Sequence, residues 1–580
     1  MLKPLTGSRK VKPFSVYDIE TTTDLQNVYL VGWYDGCKYK YWESPPLPPA
    51  DKQSAVTQFL AWLFTRPGKK PCYAHNGGNF DAVFLLSSII ANFPDVSAEI
   101  IPSQSAILML KVTKGSSTWS ILDSARTLPD TLDNLAHCFL NERKMEIEDY
   151  STLHLNPKRY EYLKRDCVLL YGVLSRYFSL LHDKLGGQAG ISAASTALAT
   201  YRTSYQRDTL PDISDKAASL ARAGYYGGRC EPFRREFKGP GILHCYDVNS
   251  LYPWAMRQHM PVEEIDAKGY HPELCGFVDC TVSVQKTLLP ILPCRTENRL
   301  LFPTGTWRGV FSTAELHLAQ KYGQILTLKY HDAVYFRTEP IFNDYVDKLF
   351  AFRDKTAPDW DLATDRIAKI NMNSLYGKFG SQETRETIHI RPTYDDMVDK
   401  QMQQMPSPLT NLECFIEMTE IHTDYMLPQI SAWVTALGRC RLVEGLLSAG
   451  IDPYYCDTDS IYTEAEMPTG TCLGEWKDEY VADPIVYAYF LAPKVYVLRH
   501  DSGKVTNKAK GFSRFGENLP GNAIAILASG KSLEVSRFAK ARSVIAGDFG
   551  LMVSQKKCHL QYEKRIFHKD GSSDPRKVSL

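Results

Sequence analysis

Two aspartates stand among aromatic residues in the sequence Pro453-Tyr454-Tyr455-Cys456-Asp457-Thr458-Asp459-Ser460-Ile461-Tyr462. Aromatic and β-branched residues on both sides of an Asp-Thr-Asp tip predict a tight hairpin with two carboxylates at its turn. Residues two apart along a strand face the same way, so Asp457 and Asp459 share a face. Two like charges at such a short distance repel each other unless a cation neutralises them. Carboxylate oxygens are suitable ligands for a hard ion such as Mg²⁺. The alternative is a solvated turn, because Asp and Thr are common turn residues.

Size and composition limit the classes of function. The chain has 580 residues, enough for two or more domains, and its 44% hydrophobic and 23% charged residues are ordinary for a soluble globular protein. With a net charge of +1, a polyanion would have to bind to local basic surfaces. Its 14 cysteines include no C-x-x-C pair, which disfavours zinc ribbons and fits a reducing compartment. We expect neither a membrane span nor a secretory signal, because no apolar run is long enough for either.

Three carboxylate clusters occupy the first third of the chain. Asp18 and Glu20 end a predicted strand on one face. Asp81 stands at the start of a predicted helix, and Tyr162 and Asp166 lie one helical turn apart. Four carboxylates and a phenol suit two metal ions about 3.5–4 Å apart that activate water against a phosphodiester. The alternatives are a simple N-cap role for Asp81 and a mixed-charge surface helix for the third cluster.

A glycine pair follows in the element Tyr225-Tyr226-Gly227-Gly228-Arg229. Two glycines permit close backbone approach by another chain. Arg229 and the basic residues after it predict a local basic surface; these residues are Arg234, Arg235 and Lys238. The alternative is a glycine turn followed by a solvated run of charge.

A second strand that could supply a metal ligand is predicted to end at Asp247. Asp247 would be a third ligand beside Asp457 and Asp459, and the Val248 carbonyl would add an oxygen. Tyr252 lies five residues further on, where the chain turns back over this site. Its ring would exclude a ribose 2′-hydroxyl, the group that separates RNA from DNA precursors. The alternative for Tyr252 is a core aromatic residue.

A nucleotide-binding stripe is predicted on the helix over 365–380. Lys369, Asn373 and Tyr376 recur at helical spacing and offer an ammonium, an amide and a phenol, which suit a triphosphate and a base. Gly377 removes a side chain where a base pair must come close.

Seven motifs in one order resemble those of a known family. D-x-x-S-L-Y-P from Asp247, K-x-x-x-N-S-L-Y-G from Lys369 and Y-C-D-T-D-S from Tyr455 resemble motifs A, B and C of the family B DNA polymerases. Lys494-Val495-Tyr496 resembles their later K-x-Y motif. Upstream, D-x-E, N-x-x-x-F-D and Y-x-x-x-D resemble the three motifs of DnaQ-like 3′–5′ exonucleases. The spelling of motifs B and C is similar to the protein-primed branch, which serves phages, adenoviruses and linear mitochondrial plasmids.

The resemblance implies an α/β and α+β multidomain fold. An RNase H-like 3′–5′ exonuclease domain would precede a right-hand polymerase of palm, fingers and thumb with two insertions. The implied boundaries are 1–190 for the exonuclease domain, 191–261 and 426–510 for the two parts of the palm, 358–380 for the fingers and 511–580 for the thumb. Insertion 1 would occupy 262–357 and contact the terminal protein. Insertion 2 would occupy 381–425 and act in strand displacement and processivity.

The resemblance also implies residue roles. Each site would hold two Mg²⁺ ions, which Mn²⁺ can replace. The implied polymerase ligands are Asp247, Val248, Asp457 and Asp459, and the implied exonuclease residues are Asp18, Glu20, Asp81, Tyr162 and Asp166. The implied nucleotide contacts are Tyr252, Lys369, Asn373 and Tyr376. The implied DNA contacts are Asn76, Phe80, Ser124, Tyr225, Gly227, Gly228, Gly377, Lys494 and Tyr496, although Ala125 stands where the element at Ser124 usually has Leu.

These observations predict a DNA-directed DNA polymerase with 3′–5′ proofreading, primed by a terminal protein. Its partners would be primer-template DNA, dNTPs, the terminal protein and a single-stranded-DNA-binding protein, with no membrane. We expect a monomer in the cytoplasm, nucleus or mitochondrion of a host. The alternatives are an RNA- or DNA-primed polymerase of the same family, a catalytically dead member kept for DNA binding, and a stand-alone nuclease.

Overall fold

A computed structural model gives the structure of the protein, and the described residues are 1–7, 12–22, 27–45, 54–68, 70–103, 106–297, 299–404, 414–420, 424–448, 450–509, 523–529, 531, 533–540, 551–558 and 564–579. The helices are α1 (Ala55–Leu63), α2 (Asp81–Asn92), α3 (Leu132–Leu140), α4 (Arg159–Asp183), α5 (Ala193–Ser204), α6 (Asp215–Ala223), α7 (Leu251–Met256), α8 (Thr313–Lys321), α9 (Asn343–Ala351), α10 (Leu362–Phe379), α11 (Tyr394–Asp399), α12 (Pro428–Leu446) and α13 (Ala523–Ala528). Within the described ranges, none of these helices has the length and apolar character that a bilayer span requires.

The strands are β1 (Ser15–Thr21), β2 (Val28–Tyr34), β3 (Tyr39–Glu43), β4 (Cys72–Ala74), β5 (Ser97–Ser103), β6 (Ala106–Lys114), β7 (Ser117–Asp123), β8 (Cys230–Pro232), β9 (Glu236–Val248), β10 (Met260–Ile265), β11 (Cys275–Val284), β12 (Cys294–Thr296), β13 (Arg299–Leu301), β14 (Thr304–Ser312), β15 (Ile325–Glu339), β16 (Thr384–Ile390), β17 (Gln403–Gln404), β18 (Cys414–Glu420), β19 (Pro453–Asp457), β20 (Ser460–Thr463), β21 (Trp476–Asp478), β22 (Ile485–Ala492), β23 (Val495–His500), β24 (Val505–Ala509), β25 (Leu533–Lys540), β26 (Leu551–Cys558), β27 (Arg565–Phe567), β28 (Ser573–Pro575) and β29 (Lys577–Val578).

The N-terminal sheet is built around the first carboxylate strand. Its strand order is β17-β18-β16-β5-β6-β7-β4-β1-β2-β3, and β1 lies between the parallel strand β4 and the antiparallel strand β2. Helix α4 packs across β1 and β2, with Leu163 and Cys167 against Gly32. A Cβ atom at Gly32 would lie 2.8 Å from Leu163 Cγ, so glycine lets this helix approach the sheet closely. The helix thereby brings the third carboxylate cluster to the first.

The second sheet carries the predicted hairpin. Its order is β24-β23-β22-β9-β20-β19-β8, and β21 also pairs with β9. Strands β19 and β20 form the hairpin that the opening stretch predicts, with Thr458 at φ +60° in its turn. Beneath it, Tyr455 stacks on Phe490 with ring centroids 4.9 Å apart, inside a cluster of buried aromatic residues. This packing fixes the hairpin from one side.

Helix α10 also forms where the sequence predicts a helix. The Asp361 side chain accepts hydrogen bonds from the backbone N–H groups of Ala363 and Thr364 at 3.1 and 3.0 Å and so caps its start. Its apolar stripe, with Met372 and Leu375, is fully buried. The polar stripe therefore faces outward, as predicted.

The predicted insertion 2 is not separate from the N-terminal domain. Strand β16 pairs antiparallel with β5, and β18 continues the same sheet beyond it. Ile388 and Ile390 are fully buried in the N-terminal core, so apolar burial draws this segment onto the sheet edge. The boundary of insertion 2 at 381 stays a prediction, while residues 405–413 and 421–423 lie outside the described residues.

The last described segment contacts the predicted insertion 1. Strand β29 pairs in parallel with β14, in a sheet ordered β10-β15-β11-β14-β29 that contains most of the predicted insertion 1. The assignment of 511–580 to the thumb stays a prediction, and much of this range outside the hairpin β25–β26 and residues 564–579 lies outside the described residues.

One buried ion pair should matter for stability. Arg439 on α12 and Glu315 on α8 are 2% and 1% exposed, with Nε and Oε1 2.9 Å apart. Glu315→Gln would leave the guanidinium charge buried without its counter-charge, and we expect the free energy of unfolding to fall by about 3–5 kcal/mol in urea titrations.

The matched control is Asp347→Asn, which removes a half-exposed carboxylate paired with Arg257. This change should alter the free energy of unfolding by about 0.5 kcal/mol or less. Equal effects of the two variants would contradict a special role for the buried pair.

Candidate active sites

Two strands bring the first pair of predicted ligands together. In the register of β9 and β20, Asp247 lies opposite Ser460, and the Val248 N–H donates to the Asp459 carbonyl oxygen at 2.8 Å. Asp247 and Asp459 therefore occupy adjacent strand ends, although about 200 residues of chain separate them. The prediction that they meet is confirmed.

Asp457 lies one strand further away. Ser460 pairs with Asp247 on one side and with Asp457 on the other, so these three residues form one row across the sheet. Two strand spacings separate the two aspartates in this row, about 10 Å. The Lys494 Nζ atom lies 2.8 Å from Asp457 Oδ1. Asp457 thus shares the site but has its own cation.

Burial and mutual repulsion raise the pKa values of the carboxylates at this site. Burial, and then the negative charge of Asp459, raise the pKa of Asp247 to about 7. Burial and the charge of Asp457 raise the pKa of Asp459 to about 6. Lys369 lowers both values, which puts its ammonium group within electrostatic reach of the pair. A site with this excess of negative charge fits a divalent cation.

The nucleotide stripe lies beside these carboxylates. Lys369 and Asn373 are exposed on α10, and the rings of Tyr252 and Tyr376 lie 4.6 Å apart between centroids with their hydroxyls hydrogen-bonded. Among the described residues, and apart from the adjacent backbone of α10 itself, no atom lies within 4 Å of the position of a Cβ at Gly377. The structure brings these predicted residues to one open face. Their contacts with a nucleotide stay predictions, as does the metal role of the Val248 carbonyl.

The glycine pair lies against the catalytic turn. A Cβ atom at Gly228 would lie 2.8 Å from Thr458, whereas Gly227 faces open space. Gly228 therefore serves the packing of the turn, which differs from its predicted DNA contact. Tyr225 is partly exposed beside the C-terminal end of α10, where its ring adjoins Gly380.

Two predictions about this region are corrected by burial. Arg229 is fully buried and ion-paired with Glu231 at 2.5 Å, so it is no part of a basic surface. Tyr496 is 8% exposed, and its hydroxyl lies 3.5 Å from that of Tyr462 within the aromatic cluster. It supports the hairpin from beneath, and the predicted direct DNA contact does not fit its position. Lys494, at φ +61° and 44% exposed, does face the site.

The N-terminal site is more compact. Asp18, Glu20 and Asp166 each offer an oxygen, and these oxygens all lie within 4.8 Å of one another. The Asp166 Oδ1 atom is buried and accepts no hydrogen bond from any residue that the structure describes, as expected of an atom that awaits a cation. Burial raises the pKa of Asp18 to about 7, with the charge of Asp166 as the second cause. These residues fit a divalent metal.

Asp81 lies next to this trio. It stands in the first turn of α2, is 3% exposed and accepts a hydrogen bond from the Ile19 N–H at 3.1 Å. Burial and then the charge of Asp18 raise its pKa well above the usual range. The alternative, in which Asp81 is the N-cap of α2, does not hold, because the N-cap residue of this helix is Phe80.

Sequence reasoning missed Lys144. Its Nζ atom lies 2.6 Å from Asp166 Oδ2 and 4.9 Å from the centroid of the Tyr162 ring. Burial alone would lower the pKa of Lys144, but the charges of Asp166, Tyr162 and Asp18 and the hydrogen bond to Asp166 together outweigh it, and the pKa is raised. In the sequence this lysine belongs to a run of mixed charge, Glu142 to Glu146, which looks like a solvated loop. Only the fold places it in the site.

The residues predicted to contact single-stranded DNA in the N-terminal domain differ in their exposure. Asn76, at φ +61°, and Phe80 lie around a 3₁₀ turn at the mouth of the N-terminal site and are exposed and partly exposed. Ser124 is 1% exposed, and its hydroxyl donates to the Ala74 carbonyl at 3.0 Å. It holds β4 in place, so the predicted DNA contact of Ser124 does not fit. A Cβ at Gly78 would lie 1.9 Å from the Ile107 carbonyl, which explains the glycine in this turn.

Comparison with known proteins agrees with this geometry. Residues 140–405 match the family model described as DNA polymerase type B, organellar and viral. A DNA-directed DNA polymerase of Enterobacteria phage PRD1 is 26% identical over 547 residues, which cover 87% of each chain. A probable DNA polymerase of Ascobolus immersus is 27% identical over 84% of this chain and 45% of its own.

The type B polymerase fold is also found among solved structures. Phi29 DNA polymerase with primer-template DNA and incoming nucleotides superposes with a TM-score of 0.71 and 20% identity, covering 95% of this chain and all of that one. The predicted fold, an RNase H-like domain followed by a right-hand polymerase, is thereby confirmed. The chain spans about half the length of the fungal relatives it matches, with 45% of the Ascobolus protein and 54% of a Neurospora intermedia protein.

The raised pKa of Asp247 predicts a pH-dependent stability in chelator. Its folded pKa of about 7 lies above the unfolded value of 3.8, so its ionisation destabilises the fold progressively as pH rises through this interval. Asp247→Asn should therefore raise the melting temperature of the metal-free protein, and more at pH 8 than at pH 5. Melting curves in EDTA at both values test this, and an equal gain at the two values would contradict it.

Proposed function

We propose that the protein is a DNA-directed DNA polymerase with a 3′–5′ exonuclease, and that a terminal protein primes it. The observation that carries the polymerase is the adjacency of Asp247 and Asp459 across β9 and β20, beside the exposed Lys369. The names of the phage and fungal relatives support the same activity. Primer-template DNA and dNTPs are the proposed partners, as in the phi29 polymerase complex.

In the proposed reaction the primer 3′-hydroxyl attacks the α-phosphorus of a dNTP. Asp247 and Asp459 would hold Mg²⁺, which when bound lowers the pKa of the hydroxyl and neutralises charge on the pyrophosphate. Lys369 binds phosphate as a point charge on the exposed face of α10. Tyr252, with its hydroxyl hydrogen-bonded to Tyr376, excludes a ribose 2′-hydroxyl. Lys494 neutralises Asp457 and faces the primer end.

The proposed exonuclease uses the N-terminal site. Asp18, Glu20 and Asp166 would hold Mg²⁺ or Mn²⁺, with Asp81 close to them. The metal supplies a nucleophilic water when bound. Tyr162 and Lys144 both hydrogen-bond to Asp166 and orient it, and the Lys144 ammonium also offsets negative charge on the phosphodiester.

Terminal-protein priming is supported by the sequence resemblance. The spelling of motifs B and C is similar to the protein-primed branch, and long insertions lie before and after α10. Most strands of insertion 1 lie in one sheet, β10-β15-β11-β14-β29, in which the C-terminal strand β29 also takes part. A single-stranded-DNA-binding protein is a further proposed partner. The alternative is a polymerase of the same family that starts on an RNA or DNA primer.

The two sites should be separable by mutation. Asp459→Ala should lower primer extension by at least about 10³-fold and leave the degradation of single-stranded DNA unchanged. Asp166→Ala should have the opposite effect. Extension and degradation of one labelled oligonucleotide, with and without dNTPs, measure both activities.

Each variant is the control for the other, because each should retain the activity that the other loses. Normal extension by Asp459→Ala would refute the assignment of the polymerase site. Normal degradation by Asp166→Ala would refute the exonuclease, without bearing on the polymerase.

Protein priming should leave a covalent product. The polymerase, its terminal protein, template, Mg²⁺ and a labelled dNTP, without any nucleic-acid primer, should yield a labelled protein that survives denaturing electrophoresis. Asp459→Ala should yield none. Labelling only after addition of an RNA or DNA primer would favour the alternative.

A further inference from the structure

Three charged side chains are buried together outside both active sites. Arg229 and Arg565 are fully buried, and Glu231 is 2% exposed. The Glu231 carboxylate lies 2.5 Å from Arg229 Nη2, and its other oxygen lies 3.8 Å from Arg565 Nη1. Such burial is costly unless every group is paired, so a specific task is expected for the cluster.

Arg565 connects three parts of the chain. Its Nε donates to Ser573 Oγ at 2.8 Å, and its Nη2 donates to the carbonyls of Ser573 and Leu288, both at 3.1 Å. With Glu231 these bonds join the C-terminal segment 564–579, the loop before β12 and strand β8. The planar guanidinium suits this task, because it donates in several fixed directions at once.

The C-terminal segment covers the open edge of the catalytic sheet. Strand β8 is the last strand of the order β24-β23-β22-β9-β20-β19-β8. Lys564 Nζ donates to the Cys230 carbonyl at 3.3 Å, and Ser573 Oγ donates to the Phe233 carbonyl at 2.6 Å. An edge strand without such a cover has unpaired backbone groups and is free to shift.

The inner side of the same strand holds the catalytic turn. The Thr458 N–H donates to the Arg229 carbonyl at 2.7 Å, and Gly228 fits against the Thr458 side chain. Thr458 is at φ +60°, which β-branched residues rarely adopt, so the turn depends on these contacts. The turn sets the separation of Asp457 and Asp459.

We propose that Arg565 is a positioning residue of the polymerase site. It acts through its ion pair with Glu231, which in turn holds Arg229, and the Arg229 carbonyl accepts a hydrogen bond from the turn between the two aspartates. The inference rests on the proposed polymerase function and extends it to a residue about 100 positions from the hairpin. Without Arg565 the Arg229–Glu231 pair remains neutral, so the fold survives but the strand is less constrained.

The test is Arg565→Met in the full chain. We expect the kcat of single-nucleotide addition to fall by about tenfold, because small displacements of reacting groups are costly. The KM for the dNTP should change by about twofold or less, because the stripe on α10 is not touched. The rate of single-stranded DNA degradation should be unchanged. Arg565→Lys, which keeps the charge but loses the fork, should give an intermediate kcat.

The matched control is Lys569→Met, which removes the same charge from an exposed position of the same segment. Its kcat should equal that of the wild type. The inference is overturned if Arg565→Met retains the wild-type kcat, or if both activities fall by the same factor, as general unfolding would cause. A wild-type chain that extends no primer would overturn the proposed function itself, and the inference with it.

Discussion

Repulsion between buried carboxylates is the constraint on which the rest of the structure depends. The backbone pairing of β9 with β20 brings Asp247 beside Asp459, and the packing of α4 on β1 brings Asp166 beside Asp18. Burial removes the water that would screen these charges, and the pKa values of Asp18 and Asp247 rise to about 7. The fold keeps these groups together at a cost in stability that a bound cation would offset.

Around each site, cationic side chains offset the repulsion between the carboxylates, and rigid packing holds the site in place. Lys144 contacts Asp166 at 2.6 Å, and Lys494 contacts Asp457 at 2.8 Å. Buried aromatic rings lie under the hairpin, where Tyr455 stacks on Phe490. On its open edge the strand β8 is held by the C-terminal segment. Each site is thus preorganised by cations that contact its carboxylates and by packing around them.

Local sequence predicted the elements and the acidic ligands well. The hairpin at the Asp-Thr-Asp tip, the helix α10 and the strand ending at Asp247 form as expected, because alternation and helical spacing are local properties. The acidic residues could be found because unpaired carboxylates at strand ends are uncommon outside such sites. The burial of Ser124, Arg229 and Tyr496 was not predicted, because polar side chains look alike in sequence whether buried or exposed. The pairing of β29 with β14 was not predicted, because it is non-local.

Which residues carry charge at a turn or strand end could be read from the sequence, and the order of motifs resembled that of the type B polymerases. The tertiary structure alone decided which distant side chains meet them. Lys144 reaches Asp166, and Arg565 reaches Glu231, through contacts that no local pattern encodes. The physical reason is that spacing along a chain fixes the face on which a residue lies. The partner of that face depends on how helices and strands from the whole chain pack to bury their apolar surface.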